Sequence, residues 1–183
     1  MKNEKKMRFK KRKRCIYTNF VYFFRDGFFY NYVPLRSFLN NIKTKYMYPA
    51  ELVLPMKAEL TENGFEDLTS AQAIDDAMKQ GGTTLLVINS VCGCSAGTGR
   101  PGAVMALKNA SKKPTHAITA FAGFDSEAVQ QARTYLMPYP PSSPCIALLK
   151  DGELVHMVER HMIEGRSAQM VANNLMDAFE KYC

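Results

Sequence analysis

The run Leu85-Leu86-Val87-Ile88 and the Cys92-Gly93-Cys94 that follows it constrain this chain more than any other stretch. Four consecutive apolar residues, two of them β-branched, have the length and composition of a strand buried on both faces, so layers are required above and below it. After the cysteines a small-residue segment, Ser95-Ala96-Gly97-Thr98-Gly99, leads into Arg100-Pro101 and the helical run Ala103-Val104-Met105-Ala106-Leu107. Two sulfurs therefore stand at a strand-to-helix junction. The unpaired N–H groups and the positive dipole end of a helix start favour an anion there. Such a location can lower a cysteine pKa from about 8.5 to roughly 3.5–7.5, which makes the attacking thiolate available. The pair reads as redox-active.

The flanking segments alternate between helix and strand. Pro49 opens a helical pattern through Leu60, stopped at Asn63-Gly64. Residues 65–68 suit a short edge strand. Thr69-Ser70-Ala71-Gln72 fits a capping box with Thr69 at the N-cap, and Gly81-Gly82 ends the helix it starts. Residues 83–89 form the central strand and about 94–110 the next helix. Pro101 and glycines 97, 99 and 102 in its first turns predict a bend or a delayed start. A strand over 117–122 and a helix capped by Asp125 or Ser126 and running to about Tyr135 follow. Asp151-Gly152 then joins strands 146–149 and 153–158 in a two-residue hairpin. Ser167 caps a final amphipathic helix with Met170, Val171, Leu175 and Phe179 on one face. This order predicts an α/β, three-layer sandwich with a mixed central sheet.

Charge divides the chain in two. Residues 1–46 hold 13 Lys and Arg against 2 acidic residues, whereas the other 11 basic residues share 47–183 with 15 acidic ones. The net charge of +7 is thus a property of an extension, and the segment carrying the cysteine pair is mildly acidic. Expected boundaries are 1–46 for a basic, aromatic-rich extension, poorly ordered or outside the natural product if translation starts at Met47, and 47–183 for one domain. The apolar stretch of the extension is broken at Arg25-Asp26-Gly27, too soon to span about 30 Å of hydrocarbon, and no Ala-x-Ala cleavage pattern follows. A basic aromatic tail could instead lie on anionic lipid or nucleic acid; the expectation adopted is no nucleic acid and no membrane.

The layout, a cysteine motif between strand and helix ahead of a closing hairpin and helix, resembles the thioredoxin fold. In that fold a cis-proline precedes the hairpin and faces the cysteines, and Ser142-Ser143-Pro144-Cys145 stands at the matching place. Six blocks taken together, Asn89-Ser90-Val91-Cys92-Gly93-Cys94, Arg100-Pro101, Phe121-Ala122-Gly123, Pro141-Ser142-Ser143-Pro144, Ala147-Leu148-Leu149-Lys150 and Arg160-His161-x-Ile163-Glu164-Gly165, resemble the bacilliredoxin family of Cys-Gly-Cys thioredoxin-like proteins. The resemblance covers about residues 50–183. It implies a cytoplasmic thiol–disulfide oxidoreductase that removes bacillithiol from protein mixed disulfides, with disulfide isomerase activity, and makes Cys92 the nucleophile. Two features depart from the pattern: Cys145 after the proline, and the basic extension.

On that reading Cys92 attacks the outer sulfur of an S-thiolated client protein, and Cys94 resolves the adduct. A disulfide closing so small a ring is expected to be strained and readily reduced, which suits isomerisation or a monothiol cycle. Gly93 is expected to permit the tight turn, and the backbone beside Ser143 and Pro144 to pair with an extended substrate chain. No bound cofactor or metal is expected. The co-substrate is bacillithiol or a similar low-molecular-weight thiol, and the partners are S-thiolated clients, that thiol and its reductase.

Other roles stay open for the same residues. The cysteine pair could be inert packing, or half of a zinc site with Cys145, Cys183 or a histidine, although only one closely spaced pair is present. An adaptor driven by the basic tail is the third class. Cys145 reads as a packed residue at a strand start rather than a third redox sulfur, and Cys15 and Cys183 as peripheral. His116, His156 and His161 read as structural or solvated, with His161 inside a matched block. Arg100 either steadies the thiolate or merely solvates its helix. Five cysteines, an odd number, without a secretion signal favour a reducing compartment.

Overall fold

The computed structural model describes residues 14–17, 20–25, 28–34 and 47–183. The chain divides into two units, Met1–Lys45 and Tyr46–Cys183. In the first, β1 (Arg14–Tyr17), β2 (Phe20–Arg25) and β3 (Phe28–Pro34) pair antiparallel in that order, with a register shift at Tyr22/Phe23. The basic run at 10–13 lies outside the described residues.

The second unit runs α1 (Ala50–Thr61), β4 (Glu66–Asp67), α2 (Ala71–Lys79), β5 (Thr83–Asn89), α3 (Arg100–Asn109), β6 (His116–Phe121), α4 (Ser126–Tyr135), β7 (Cys145–Lys150), β8 (Glu153–Val158), α5 (Arg160–Ile163) and α6 (Ala168–Tyr182). Its sheet has the order β4-β6-β5-β7-β8, parallel from β4 through β6 to β5 and antiparallel from β5 through β7 to β8. Every residue of β5 is buried. Alternate side chains go to opposite layers, as the pleat requires. Leu85 and Val87 meet Ala103 and Ala106 of α3 and Leu175 and Phe179 of α6, whereas Leu86 and Ile88 meet Ile74 of α2 and Ala128 and Ala132 of α4. This is the thioredoxin-like, three-layer α/β sandwich with a mixed central sheet that the element order predicts.

Local differences from the sequence reading have physical causes. The N-cap of α2 is Ser70, whose Oγ accepts from Ala73 N at 3.2 Å, so the cap lies one residue beyond Thr69. Gln72 turns outward to Asp76 instead of closing a capping box. Ser167 caps α6 as expected, through Met170 N, but Met170 itself is exposed. The buried face of α6 is Val171, Ala172, Leu175, Ala178 and Phe179, an i, i+1, i+4, i+7, i+8 stripe that leaves position 170 outside. Asp125 stands at the N-cap of α4, yet its carboxylate accepts from Phe121 N at 2.8 Å and faces Lys57 rather than the helix start. In the β7–β8 hairpin, Asp151 and Gly152 both have positive φ (51° and 82°), the backbone a two-residue turn of this twist needs.

The sequence reading also misses a buried cation. α1 turns Val53, Lys57 and Leu60 inward and leaves Leu52 and Leu54 exposed. Lys57 Nζ lies 2.9 Å from Asp67 and 2.6 Å from Asp125, partners that offset the cost of burying a cation.

Candidate redox site

The site is assembled where β5 ends. Asn89, the last residue of the strand, is fully buried, and its side chain organises the turn that follows. Its Oδ1 accepts from Ser90 N at 2.8 Å, Ser95 Oγ at 2.9 Å and an Arg100 Nη1 proton at 3.1 Å, while its Nδ2 donates to the Met56 carbonyl at 3.1 Å. A polar group at the end of an apolar strand is tolerated because all of these partners converge on it.

Helical geometry begins immediately after Cys92: its carbonyl accepts from Ser95 N at 3.1 Å and Ala96 N at 3.2 Å. Between Ser95 and Gly99 the helix widens into a single π-turn before tightening into α3. Gly97 and Gly99 lie in that turn and Pro101 and Gly102 in the first turn of α3, so the helix bulges instead of starting late.

Cys92 and Cys94 are joined by a disulfide, with their Cα atoms 5.4 Å apart. Both are half-buried, and Gly93 between them is exposed. Cys92 Sγ receives two donors, Ser90 Oγ and Ser95 N, each at 3.3 Å. Cys94 packs against the core layer formed by α3 and α6. Gly93 has no positive φ, and an added Cβ would meet nothing within 4 Å. Its backbone is thus not in the left-handed region, and beyond the flanking cysteines the space beside its Cα is open.

Pro144 is buried and follows a cis bond from Ser143; a second cis bond, Met137–Pro138, was not expected from the sequence. A Cβ built on Gly99 would lie 3.6 Å from the Cys94 carbonyl oxygen, 3.7 Å from Ile163 Cγ2 and 3.9 Å from Pro144 Cβ. The cysteine turn, α5 and the cis-proline thus meet around one residue without a side chain. Ser143 precedes the first rung of β7, which pairs Cys145 with Ile88. Ser142 Oγ accepts from Arg160 N at 2.9 Å and ties this loop to α5.

Cys145 shares its layer with Ile88 and Ala132, the layer opposite the one against which Cys94 packs. Only 1% exposed, its thiol is pushed up to about 12, chiefly by burial. It is a protonated core residue. Cys183 is exposed at the end of α6, and the Cys15 side chain lies outside what the structure describes. The histidines stand apart from the sulfurs' hydrogen bonds: His156 Nε2 pairs with Asn174 Oδ1 at 2.8 Å, His161 is exposed beside Glu159, and His116 begins β6. Among the described residues no cluster of three or more His, Cys, Asp or Glu could hold a metal ion, and no helix is long and apolar enough to cross a membrane.

Arg100 is 2% exposed, which overturns the solvating alternative. Its Nε and Nη2 donate to the two carboxylate oxygens of Glu59, at 2.6 and 3.1 Å. Asn89, Ser90, Ser95 and Glu59 are site residues that sequence reasoning did not single out. The first three lie in or beside the cysteine block, where a polar Asn closing an apolar strand is a usable signal; Glu59 has none.

The family model described as "Disulphide isomerase" matches residues 48–183. A bacilliredoxin of Cytophaga hutchinsonii is 58% identical over 135 residues, covering 74% of this chain and 99% of that protein. A bacilliredoxin of Bacillus cereus is 47% identical over 146 residues, 79% of this chain and all of the relative. Among solved structures, the oxidised thioredoxin of Plasmodium falciparum aligns over 66% of this chain and 100% of its own, with 15% identity and a TM-score of 0.46.

Proposed function

The chain belongs to the bacilliredoxin family, and on that premise we propose that it removes bacillithiol, or a similar small thiol, from mixed disulfides on client proteins in the cytoplasm and also isomerises protein disulfides. At the coarser level it is a thiol–disulfide oxidoreductase. The observation that carries the finer reading is the Cys92–Cys94 pair at a helix start, with Ser90 Oγ and Ser95 N both aimed at Cys92 Sγ.

The proposed cycle begins with Cys92 as thiolate, stabilised by those two donors and by the helix start. Its sulfur attacks the small-thiol sulfur of client–S–S–R; the client leaves as a thiolate, and the R–S group stays on Cys92. The Cys94 thiolate then attacks Cys92 Sγ, closing the intramolecular disulfide and expelling R–S⁻. Two equivalents of the small thiol return the pair to the dithiol by successive exchange and leave as their own disulfide, which its reductase handles. In this scheme both donors lie on Cys92 and, among the described residues, none reaches Cys94 Sγ, which supports the order of attack. The uncovered Gly93 leaves room for the client's sulfur, and the backbone at Ser143, ahead of the β7 ladder, offers groups to an extended substrate segment.

The test is turnover of a bacillithiolated protein by the full chain, followed by mass spectrometry. Cys92→Ser is expected to abolish release of the thiol, and Cys94→Ser to accumulate a bacillithiol adduct on Cys92. Full activity in both variants sinks the proposal.

A further inference from the structure

The guanidinium of Arg100 reaches the cysteine turn without a hydrogen bond to a sulfur, and its three nitrogens are divided between two tasks. Nε and Nη2 form a two-point pair with Glu59, whose side chain is 48% exposed. Nη1 reaches three acceptors of the turn: Asn89 Oδ1 at 3.1 Å, the Ser90 carbonyl at 3.2 Å and Ser95 Oγ at 3.2 Å. Ser90 and Ser95 are the two residues whose donors reach Cys92 Sγ. We propose that Arg100, braced from α1 by Glu59, is a positioning residue that holds Ser90 and Ser95 with their donors aimed at Cys92 Sγ. The inference rests on the reading of Cys92 as the attacking sulfur and adds the device that keeps it competent.

The physical reason lies in the fork. Burying a cation has a cost that partners must offset, and the Glu59 carboxylate offsets it from the solvent side while fixing the guanidinium plane. With the plane fixed, Nη1 can face only the turn. Lysine, a compact ammonium with three donors, can neutralise Glu59 but cannot at the same time keep a planar two-point pair and reach the turn's acceptors. A purely structural Arg100 would affect folding stability and leave the ionisation of Cys92 unchanged.

The experiment measures iodoacetamide labelling of Cys92 against pH, read at the peptide level by mass spectrometry so that Cys183 does not contribute, in the reduced full chain carrying Cys94→Ser. Arg100→Lys keeps the charge and removes the fork. It is expected to raise the labelling midpoint by roughly one pH unit, the scale of a hydrogen bond to a charged group. Glu59→Asp keeps the charge at a half-exposed position and shortens the brace by one methylene; it is expected to shift the midpoint the same way by a smaller amount, and it decides the question if Arg100→Lys does not fold. A variant with native circular dichroism whose profile superimposes on that of the unaltered chain overturns the proposal. Labelling reads Cys92 directly, so this failure is distinct from failure of the exchange reading, which shows as turnover surviving Cys92→Ser.

Discussion

The hydroxyl of Ser90 and the sulfur of Cys92 lie 3.3 Å apart, across a turn of only two residues. Because Ser90 N is held by Asn89 Oδ1 and its carbonyl by Arg100, the backbone fixes where this hydroxyl points. Cys92 Sγ thereby has a hydroxyl donor supplied from within its own turn.

Removing that hydroxyl alone is the mildest test of this solvation. Ser90→Ala leaves both backbone contacts in place, so the fold is expected to persist. Loss of one donor to a thiolate is expected to raise the Cys92 pKa by about one unit and to slow its alkylation at pH 7 several-fold. Labelling rate against pH in the Cys94→Ser background measures it, and an unchanged midpoint would show that Ser90 contributes nothing to the thiolate.

Cys145 leads to a prediction about pH and stability. Its folded pKa is raised to about 12 by burial, above the ordinary value of 9.0 that it regains on unfolding. Between those values the folded state holds a proton that the unfolded state has lost. The contribution of this group is therefore fully present below about pH 9 and declines towards pH 12, by up to about 1.4 kcal/mol per pH unit. Urea unfolding at pH 8 and pH 10.5 should show the loss, and Cys145→Ala should flatten the slope. In the native state at pH 8, iodoacetamide should leave Cys145 unlabelled.

Two glycines of the helix after the motif should respond in opposite directions to alanine. A Cβ on Gly102 would stand 2.8 Å from Val171 Cβ, 2.9 Å from Val171 Cγ1 and 3.0 Å from the Ala168 carbonyl, so α3 and α6 approach closely there. Gly102→Ala is expected to destabilise by about 1–3 kcal/mol through overpacking. Gly97, exposed in the π-turn, has nothing within 4 Å of an added Cβ and no positive φ; Gly97→Ala is expected to be neutral or to stabilise by up to about 1 kcal/mol. Urea melts of the two variants decide it, and equal effects would contradict the packing described.

Much of the architecture can be read along the chain because the signals involved are local. The buried run 85–88, the Asp151-Gly152 turn and the Ser167 cap each act over a few residues, and each appears where expected. The α2 cap is a near miss of the same kind: Thr69 and Ser70 are both good caps, and which hydroxyl reaches an orphan N–H depends on where the preceding β4 pairs with β6. Along the candidate site, the cysteines and Pro144 were legible from their placement between elements. The surroundings of Gly93 were not, because what lies beside a bare Cα depends on which elements the fold brings near the turn.

By itself the sequence determined the alternation of helix and strand and the junction that holds two sulfurs, since these depend on composition and spacing within short windows, and its six blocks carried the resemblance to a redox family. Only the tertiary structure decided that Arg100 is buried against a glutamate 41 residues earlier, that Lys57 is enclosed by Asp67 and Asp125, and that Cys145 faces the layer away from Cys94. Charge partners and strand facing are set by which helices the sheet brings together, and those distances are not written in any local pattern.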